Sequence, residues 1–238
     1  MLADAMERLG TETAFEVLAR AGQLAAQGHD VINLGIGQPD FKTPEHIVEA
    51  GVQALRDGHH GYTEAQGILP LRESVSNKLY QRYGVEIDPG NVLIVPGGKV
   101  TMFMAILMMG QLGAEIIYPD PGFPIYRSMI QFTGARAVPM PLRESNGFGL
   151  DADELLSLVS DKTRLIIINS PSNPAGGITE RDQFDKLAEG LRKYPDLIIM
   201  SDEIYDHMVY EGKEHVCMLG YPEFRDRTIL LNGWSKTF

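Results

Sequence analysis

Apolar residues recur at helical spacing from Glu12 to Gln27, at Phe15, Leu18, Ala21, Leu24 and Ala25, and Gly28 supplies a stop. A short apolar run, Val31–Leu34, reads as a strand and leads into Gly35-Ile36-Gly37-Gln38-Pro39-Asp40-Phe41. Thr43-Pro44 is a cap followed by proline at the first helical position, which predicts a helix to about Arg56. Pro70 opens another amphipathic helix with Leu71, Val75, Leu79 and Tyr83 on one face, ending at Gly84. From Asn91 the texture changes to alternating strand and helix. Strands are predicted at Val92–Val95, Glu115–Tyr118, Ala135–Met140, Leu165–Asn169, Leu197–Ser201 and Thr228–Leu231. Helices are predicted at Lys99–Met109, from about Pro124, at Ala152–Val159 and at Glu180–Tyr194, the last with Thr179 and Asp182 as a capping box. This alternation predicts an α/β fold whose mostly parallel sheet, with crossover helices, occupies about residues 91–238.

Composition narrows the class without changing that picture. A chain of 238 residues suits one large domain or one and a half, and 44% hydrophobic with 22% charged residues is ordinary for a globular protein. A net charge of −11 and the lack of any basic run argue against nucleic-acid or anionic-membrane partners. The single cysteine, Cys217, excludes an internal disulfide and permits a reducing, cytoplasmic setting; between Val216 and Met218 it reads as a buried structural thiol. The N-terminus has no signal-peptide pattern, and the most apolar stretch, Val100–Met109, is far short of the ~20 residues that span a bilayer. That stretch reads as a core helix with its four methionines as packing.

Two apparent motifs are set aside. Gly35-x-Gly37 is not completed to Gly-x-Gly-x-x-Gly, because position 40 is Asp and Pro39 prevents a helix from opening there. His59-His60 has no further ligand at metal-site spacing and reads as a solvated turn.

Four strand ends carry polar residues of a telling kind, and ligands of open α/β sheets bind beyond strand ends. Pro96-Gly97-Gly98-Lys99 leads from a strand into a helix, so its amides could hold an anion, though a Gly-Gly turn is more often only a turn. Ser170-Pro171-Ser172-Asn173-Pro174-Ala175-Gly176-Gly177 is a rigid loop that could present the Asn173 amide as a donor. Asp202 follows the buried run Leu197–Met200 and needs a cation or several donors; the cluster Asp202, Glu203, Asp206 and His207 could instead hold a metal, but adjacent carboxylates point apart. Lys236, beyond the run Thr228–Leu231, could form a Schiff base with a carbonyl compound. Pyridoxal 5'-phosphate meets all four requirements, with its phosphate, phenolic oxygen, pyridinium nitrogen and aldehyde.

At these residues the chain resembles the fold-type I pyridoxal-phosphate enzymes, specifically the class I/II aminotransferases. The matching motifs are Asn173-Pro174-x-Gly176, Asp202-Glu203-x-Tyr205 and Ser235-Lys236, in the family's order. Asn33–Phe41, Gly61-Tyr62 and Gly97-Gly98-Lys99 support them, over a span from about Thr11 to the last residue. The resemblance implies a large pyridoxal-phosphate-binding domain over residues 44–238, incomplete at its C-terminus, with residues 1–43 belonging to a small domain. It implies that Lys236 carries the cofactor as a Schiff base and then shuttles a proton, with Asp202 on the pyridinium nitrogen and Tyr205 and Asn173 on the phenolic oxygen. Phe123 would stack on the ring, and Gly98, Lys99 and Ser235 would hold the phosphate. Tyr62 would reach the phosphate of a neighbouring subunit, which implies a homodimer with shared sites; Gly37 and Asn173 would lie at the substrate. No metal is implied. The activity implied is amino-group transfer between an L-amino acid and a 2-oxo acid. A lyase or synthase of the same fold and a non-catalytic pyridoxal-phosphate regulator are the alternatives. The sequence departs from the family pattern at Ala175, where many relatives have threonine, and stops two residues after Lys236. The resemblance therefore implies a C-terminally truncated chain without the substrate-carboxylate arginine, and inactivity of these 238 residues alone.

Overall fold

Five apolar runs after residue 114 become the strands of one parallel sheet in the computed structural model, which describes residues 2–10 and 13–238. They are β1 (Glu115–Asp120), β2 (Arg136–Pro141), β3 (Thr163–Asn169), β4 (Ile198–Asp202) and β5 (Thr228–Leu231), in the order β2-β1-β3-β4-β5 with every neighbouring pair parallel. The helices are α1 (Ala14–Ala26), α2 (Glu45–Arg56), α3 (Leu69–Tyr83), α4 (Gly98–Met109), α5 (Pro124–Thr133), α6 (Ala152–Leu158) and α7 (Arg181–Leu191). α5 opens with proline in its first turn and closes on Gly134 at φ 85°, a left-handed stop that a side chain would strain.

Both faces of the sheet are covered, which is why the strands read as continuous apolar runs rather than alternating ones. Side chains still alternate between the faces. Ile117, Ile166, Ile168 and Ile199 enter one core with Leu155 of α6 and Phe184 and Leu187 of α7. Ile116, Leu165, Ile167 and Met200 enter the other with Ala105 and Ile106 of α4 and Tyr126 and Ile130 of α5. Each such fully buried side chain contributes about 1.5–3 kcal/mol, so the two cores hold the sheet rigid and its C-terminal edge in place.

Several expected elements differ. Val31–Leu34 is not a strand: Ile32 and Leu34 are 85% and 90% exposed, and an extended segment with no neighbour to take its backbone hydrogen bonds does not become one. Val92–Val95 is likewise outside the sheet, its Ile94 amide donating to the Gln66 carbonyl at 3.0 Å, so the sheet begins at Glu115 rather than Asn91. The capping box before α7 does not form. Thr179 Oγ1 instead accepts from the Leu150 amide at 3.1 Å, and Glu180 takes the cap position without a side-chain bond. α1 begins at Ala14 and buries no residue, and Glu12, where the predicted helix started, lies outside the described residues. α4 is only half a core helix: Met102 is buried, whereas Met104 and Met108 face outward. Cys217 is buried as expected.

Truncating Phe184 to alanine opens a cavity under α7, and the expected loss is about 3–5 kcal/mol. Urea unfolding of Phe184→Ala checks it, as a lower midpoint at unchanged slope.

Candidate active site

Register places the functional edge. Asn169 of β3 pairs with Asp202 of β4, and Asp202 pairs with Leu231 of β5, so three strands end on one line. The loops that follow carry Asn173, Tyr205 and Lys236 away from that line.

Asp202 is 1% exposed. Its Oδ2 accepts from the Tyr126 hydroxyl at 2.5 Å and its Oδ1 from the Ile204 amide at 3.3 Å. Burial pushes the carboxyl up to about 6; the Tyr126 hydroxyl and the Ile204 amide pull it back, and the charge of Glu203 adds to the rise. Burial and the adjoining carboxylate push the Tyr126 phenol well up, so it remains a donor. Among the described residues no cation pairs with Asp202.

Asn169 fixes both neighbouring loops. Its Nδ2 donates to the Asp202 carbonyl at 3.0 Å, and its Oδ1 accepts from the Asn173 amide at 2.8 Å. The loop beyond it closes on itself, Ser172 N to Gly177 O at 2.9 Å and Gly176 N to Ser172 O at 2.8 Å. A side chain at Gly177 would strike the Phe148 carbonyl, so this close approach requires glycine. Held in this way, the Asn173 Nδ2 donates to the Tyr205 hydroxyl at 3.2 Å. Half-burial raises the Tyr205 phenol, the Asp202 charge raises it further, and the Asn173 bond lowers it.

The N-terminus of α4 rests on the same edge. Gly97 takes φ 86°, and a Cβ on Gly98 would stand 3.3 Å from Leu231 Cδ2 at the end of β5. The first amides of a helix have no intrahelical acceptor and carry partial positive charge. Lys99 adds its own, with Nζ 5.6 Å from the centre of the Phe123 ring. Phe123 in turn meets the Tyr126 ring edge-on at 6.0 Å, which closes the chain of contacts back to Asp202.

Lys236 is half-buried in a turn closed by Phe238 N donating to Trp234 O at 2.9 Å, with Ser235 exposed beside it. Its amine makes no hydrogen bond or ion pair with any described residue. Gly37 has nothing within 4 Å of where a Cβ would be, and Tyr62 is wholly exposed. Sequence reasoning missed Tyr126 and Asn169. Tyr126 lies one turn beyond Phe123 at the start of a helix, and a buried tyrosine needs a partner for its hydroxyl. Asn169 was legible only as the polar end of an apolar run.

A buried carboxylate without a cation, an amide–phenol pair, an aromatic face and a positive helix end together make a cradle for a flat cationic ring with an anionic tail. The comparisons name the family that uses such a cradle. Residues 29–238 match the family described as aminotransferase class I and II. A probable aspartate aminotransferase of Methanocaldococcus jannaschii is 40% identical over 209 residues, 88% of this chain and 54% of that protein. The aspartate aminotransferase of Bacillus subtilis is 33% identical over 237 residues, 99% of this chain and 60% of that protein. The structure of the Thermus thermophilus aspartate aminotransferase with maleate superposes with TM-score 0.92 at 30% identity, over 100% of this chain and 61% of that one. The chain belongs to the class I and II aminotransferases, and it spans between half and two thirds of the length of these relatives. Pyridoxal 5'-phosphate is the cofactor of this family, and the unpartnered carboxylate of Asp202 fits its pyridinium ring.

Because the folded Asp202 holds its proton more tightly than the unfolded chain does, it stabilises the cofactor-free fold below about pH 4, and that contribution is lost as pH rises to about 6. Asp202→Asn does not titrate. Relative to the parent it therefore gains about 2 kcal/mol between about pH 4 and about pH 7. Urea unfolding at the two pH values checks this, and an unchanged difference would refute a buried, uncompensated carboxylate.

Proposed function

We propose that the protein transfers an amino group between an L-amino acid and a 2-oxo acid, with pyridoxal 5'-phosphate held in this cradle. The observation that carries the reading is Asp202, a buried carboxylate with no cationic partner among the described residues, at the strand edge from which the Lys236 turn departs. When bound, the cofactor supplies an electron sink that makes the Cα proton of an amino acid removable.

The remaining steps belong to this chain's residues. Asp202 holds the proton on the ring nitrogen. Tyr205 and Asn173 donate to the phenolic oxygen; their mutual bond of 3.2 Å already sets their spacing. Phe123, braced edge-on by Tyr126, would lie against the ring. Gly98, Lys99 and Ser235 receive the phosphate at the start of α4. The Lys236 amine would hold the aldehyde carbon and is the group that could move the proton at Cα. Gly37 and Asn173 lie toward the substrate carboxylate. The relatives named for aspartate make a dicarboxylic amino acid the first substrate to try. The relatives compared above are named aminotransferases, which disfavours the lyase and regulator readings.

A homodimer with shared sites completes the proposal. Met104, Leu107 and Met108 of α4 and the following Leu112 make an exposed apolar strip, 42% to 89% accessible, of the kind that marks an interface. The wholly exposed Tyr62 is free to enter a neighbour's phosphate site. Residues 1–43 are assigned to a smaller domain, in keeping with the absence of any buried residue in α1. A reducing, cytoplasmic setting accords with the buried free thiol of Cys217.

Lys236→Ala is expected to abolish covalent capture by pyridoxal phosphate and borohydride, read by peptide mass. It should also lower oxo-acid formation by roughly 10²–10⁴-fold or more. Full transamination by that variant would sink the assignment. Met108→Glu places a charge on the apolar strip and should shift the sedimenting species from dimer to monomer; a parent that is already monomeric would refute the interface.

A further inference from the structure

Four residues beyond Asp202 lies another buried carboxylate that the proposed chemistry does not use. Asp206 is 2% exposed, and among the described residues its Oδ1 has no hydrogen-bond partner. Its Oδ2 accepts from Asn232 Nδ2 at 3.1 Å and lies 3.4 Å from Arg82 Nε, while Arg82 Nη2 donates to the Asp206 carbonyl at 2.5 Å. Arg82 is anchored in turn, its Nε donating to the Tyr83 hydroxyl at 3.1 Å, which stands 3.3 Å from His215 Nδ1. His215 Nε2 and Glu203 Oε2 are 2.5 Å apart, and the Glu203 amide donates to the Leu231 carbonyl at 2.8 Å. These links join α3, the turn that carries Asp202 and Tyr205, and the last residues of β5.

Asn232 is the hinge of the Lys236 turn. It is exposed, it follows the last residue of β5, and its Oδ1 accepts from the Gly233 amide at 2.7 Å. A Cβ on Gly233 would stand 3.1 Å from Ile204 Cδ1, so the turn rests directly against the Asp202–Tyr205 segment. A buried ion pair is weak evidence of stabilisation, since apolar replacement is often neutral. What the pair here does fix is the place of one amide, Asn232, four residues before Lys236.

We propose that Asp206 is a positioning residue: backed by Arg82, it fixes Asn232 and thereby the turn that presents Lys236 to the cofactor cradle. This rests on the reading of Lys236 as the cofactor-holding amine, and it adds a residue that never touches the cofactor.

Trp234, the chain's single tryptophan, lies between Asn232 and Lys236 and is 45% exposed, so its fluorescence reports on this turn directly. The experiment compares the full chain with Asn232→Ala, Asp206→Ala and the double variant. Acrylamide quenching of Trp234 is measured without cofactor, and the rate of Lys236 capture by pyridoxal phosphate and borohydride is measured by peptide mass. Each single variant should raise quenching by about twofold, as expected of a locally released turn. Each should also slow capture by about tenfold or more, as expected when a reacting group is displaced by an ångström. Because the two side chains form one link, the double variant should be no worse than either single one. Asp185→Ala, which removes from α7 the acceptor of the Tyr221 hydroxyl, should change neither readout. Asn232 is exposed, so its variant keeps the fold even if Asp206→Ala does not. Parental quenching and parental capture in folded Asn232→Ala would overturn the proposal, as would additive effects in the double variant. A parent chain that is never captured at Lys236 would instead overturn the cofactor reading, and the quenching comparison would then decide the positioning role alone.

Discussion

An ionised carboxylate taken out of water at the end of a buried strand is the constraint around which this fold is arranged. Asp202 is placed there by the register of β4 between β3 and β5, and burial drives its carboxyl toward the neutral form. Two donors, the Tyr126 hydroxyl and the Ile204 amide, oppose that drive without cancelling it. Only a positive charge in front of the carboxylate would complete its environment. The surrounding residues are chosen accordingly: an aromatic face at Phe123, a phenol and an amide at Tyr205 and Asn173, and a positive helix end at Gly98. Among the described residues no cation pairs with Asp202 to take the place of a ligand's own.

The sheet converts this local constraint into a site. Parallel strands put all their C-terminal ends on one edge, and each crossover returns the chain to the opposite edge before the next strand begins. Residues separated by 76 positions, Tyr126 and Asp202, thus meet at 2.5 Å. The two cores on either face are indispensable to that precision, because loops such as Ser172–Gly177 inherit their placement from strands that cannot shift. A first row of polar groups, Asp202 with Asn169 and Tyr126, is buried at the strand ends. A second row, Glu203 and Asp206 with His215 and Arg82, ties the same turn to α3 and to β5.

Much of the fold was legible because burial on both faces leaves a plain mark, the unbroken run such as Leu165–Ile168. The functional positions showed where such a run ended in a residue that burial penalises, as at Asp202, or in a loop stiffened by proline and glycine, as around Asn173. Runs that lacked a neighbouring strand misled, because Val31–Leu34 and Val92–Val95 are apolar without being paired. Partnership was the part no local pattern could reveal. Thr179 looked like a cap for α7 and instead accepts from Leu150, and Asp206 finds Asn232 across 26 positions. Roles toward the cofactor came from the motif resemblance rather than from spacing, and the geometry bears unequally on them. It groups Asp202, Tyr205, Asn173, Phe123 and Gly98, whereas Gly37 and Tyr62 are exposed.

The raised carboxyl of Asp202 also couples cofactor to fold. Near neutral pH it is ionised and uncompensated in the cofactor-free protein, which costs the folded state about 3 kcal/mol relative to the unfolded chain. A cation seated against it removes that cost, and a ligand that binds only the folded state stabilises it further by mass action. The same electrostatic strain therefore serves two ends. It would favour a ring nitrogen that carries a proton over one that does not, and it would make the loaded protein the more stable form at the pH where the carboxylate is charged. A neutral residue at position 202 would relieve the strain and lose both effects together, which is why a less stable side chain is the one that suits this position.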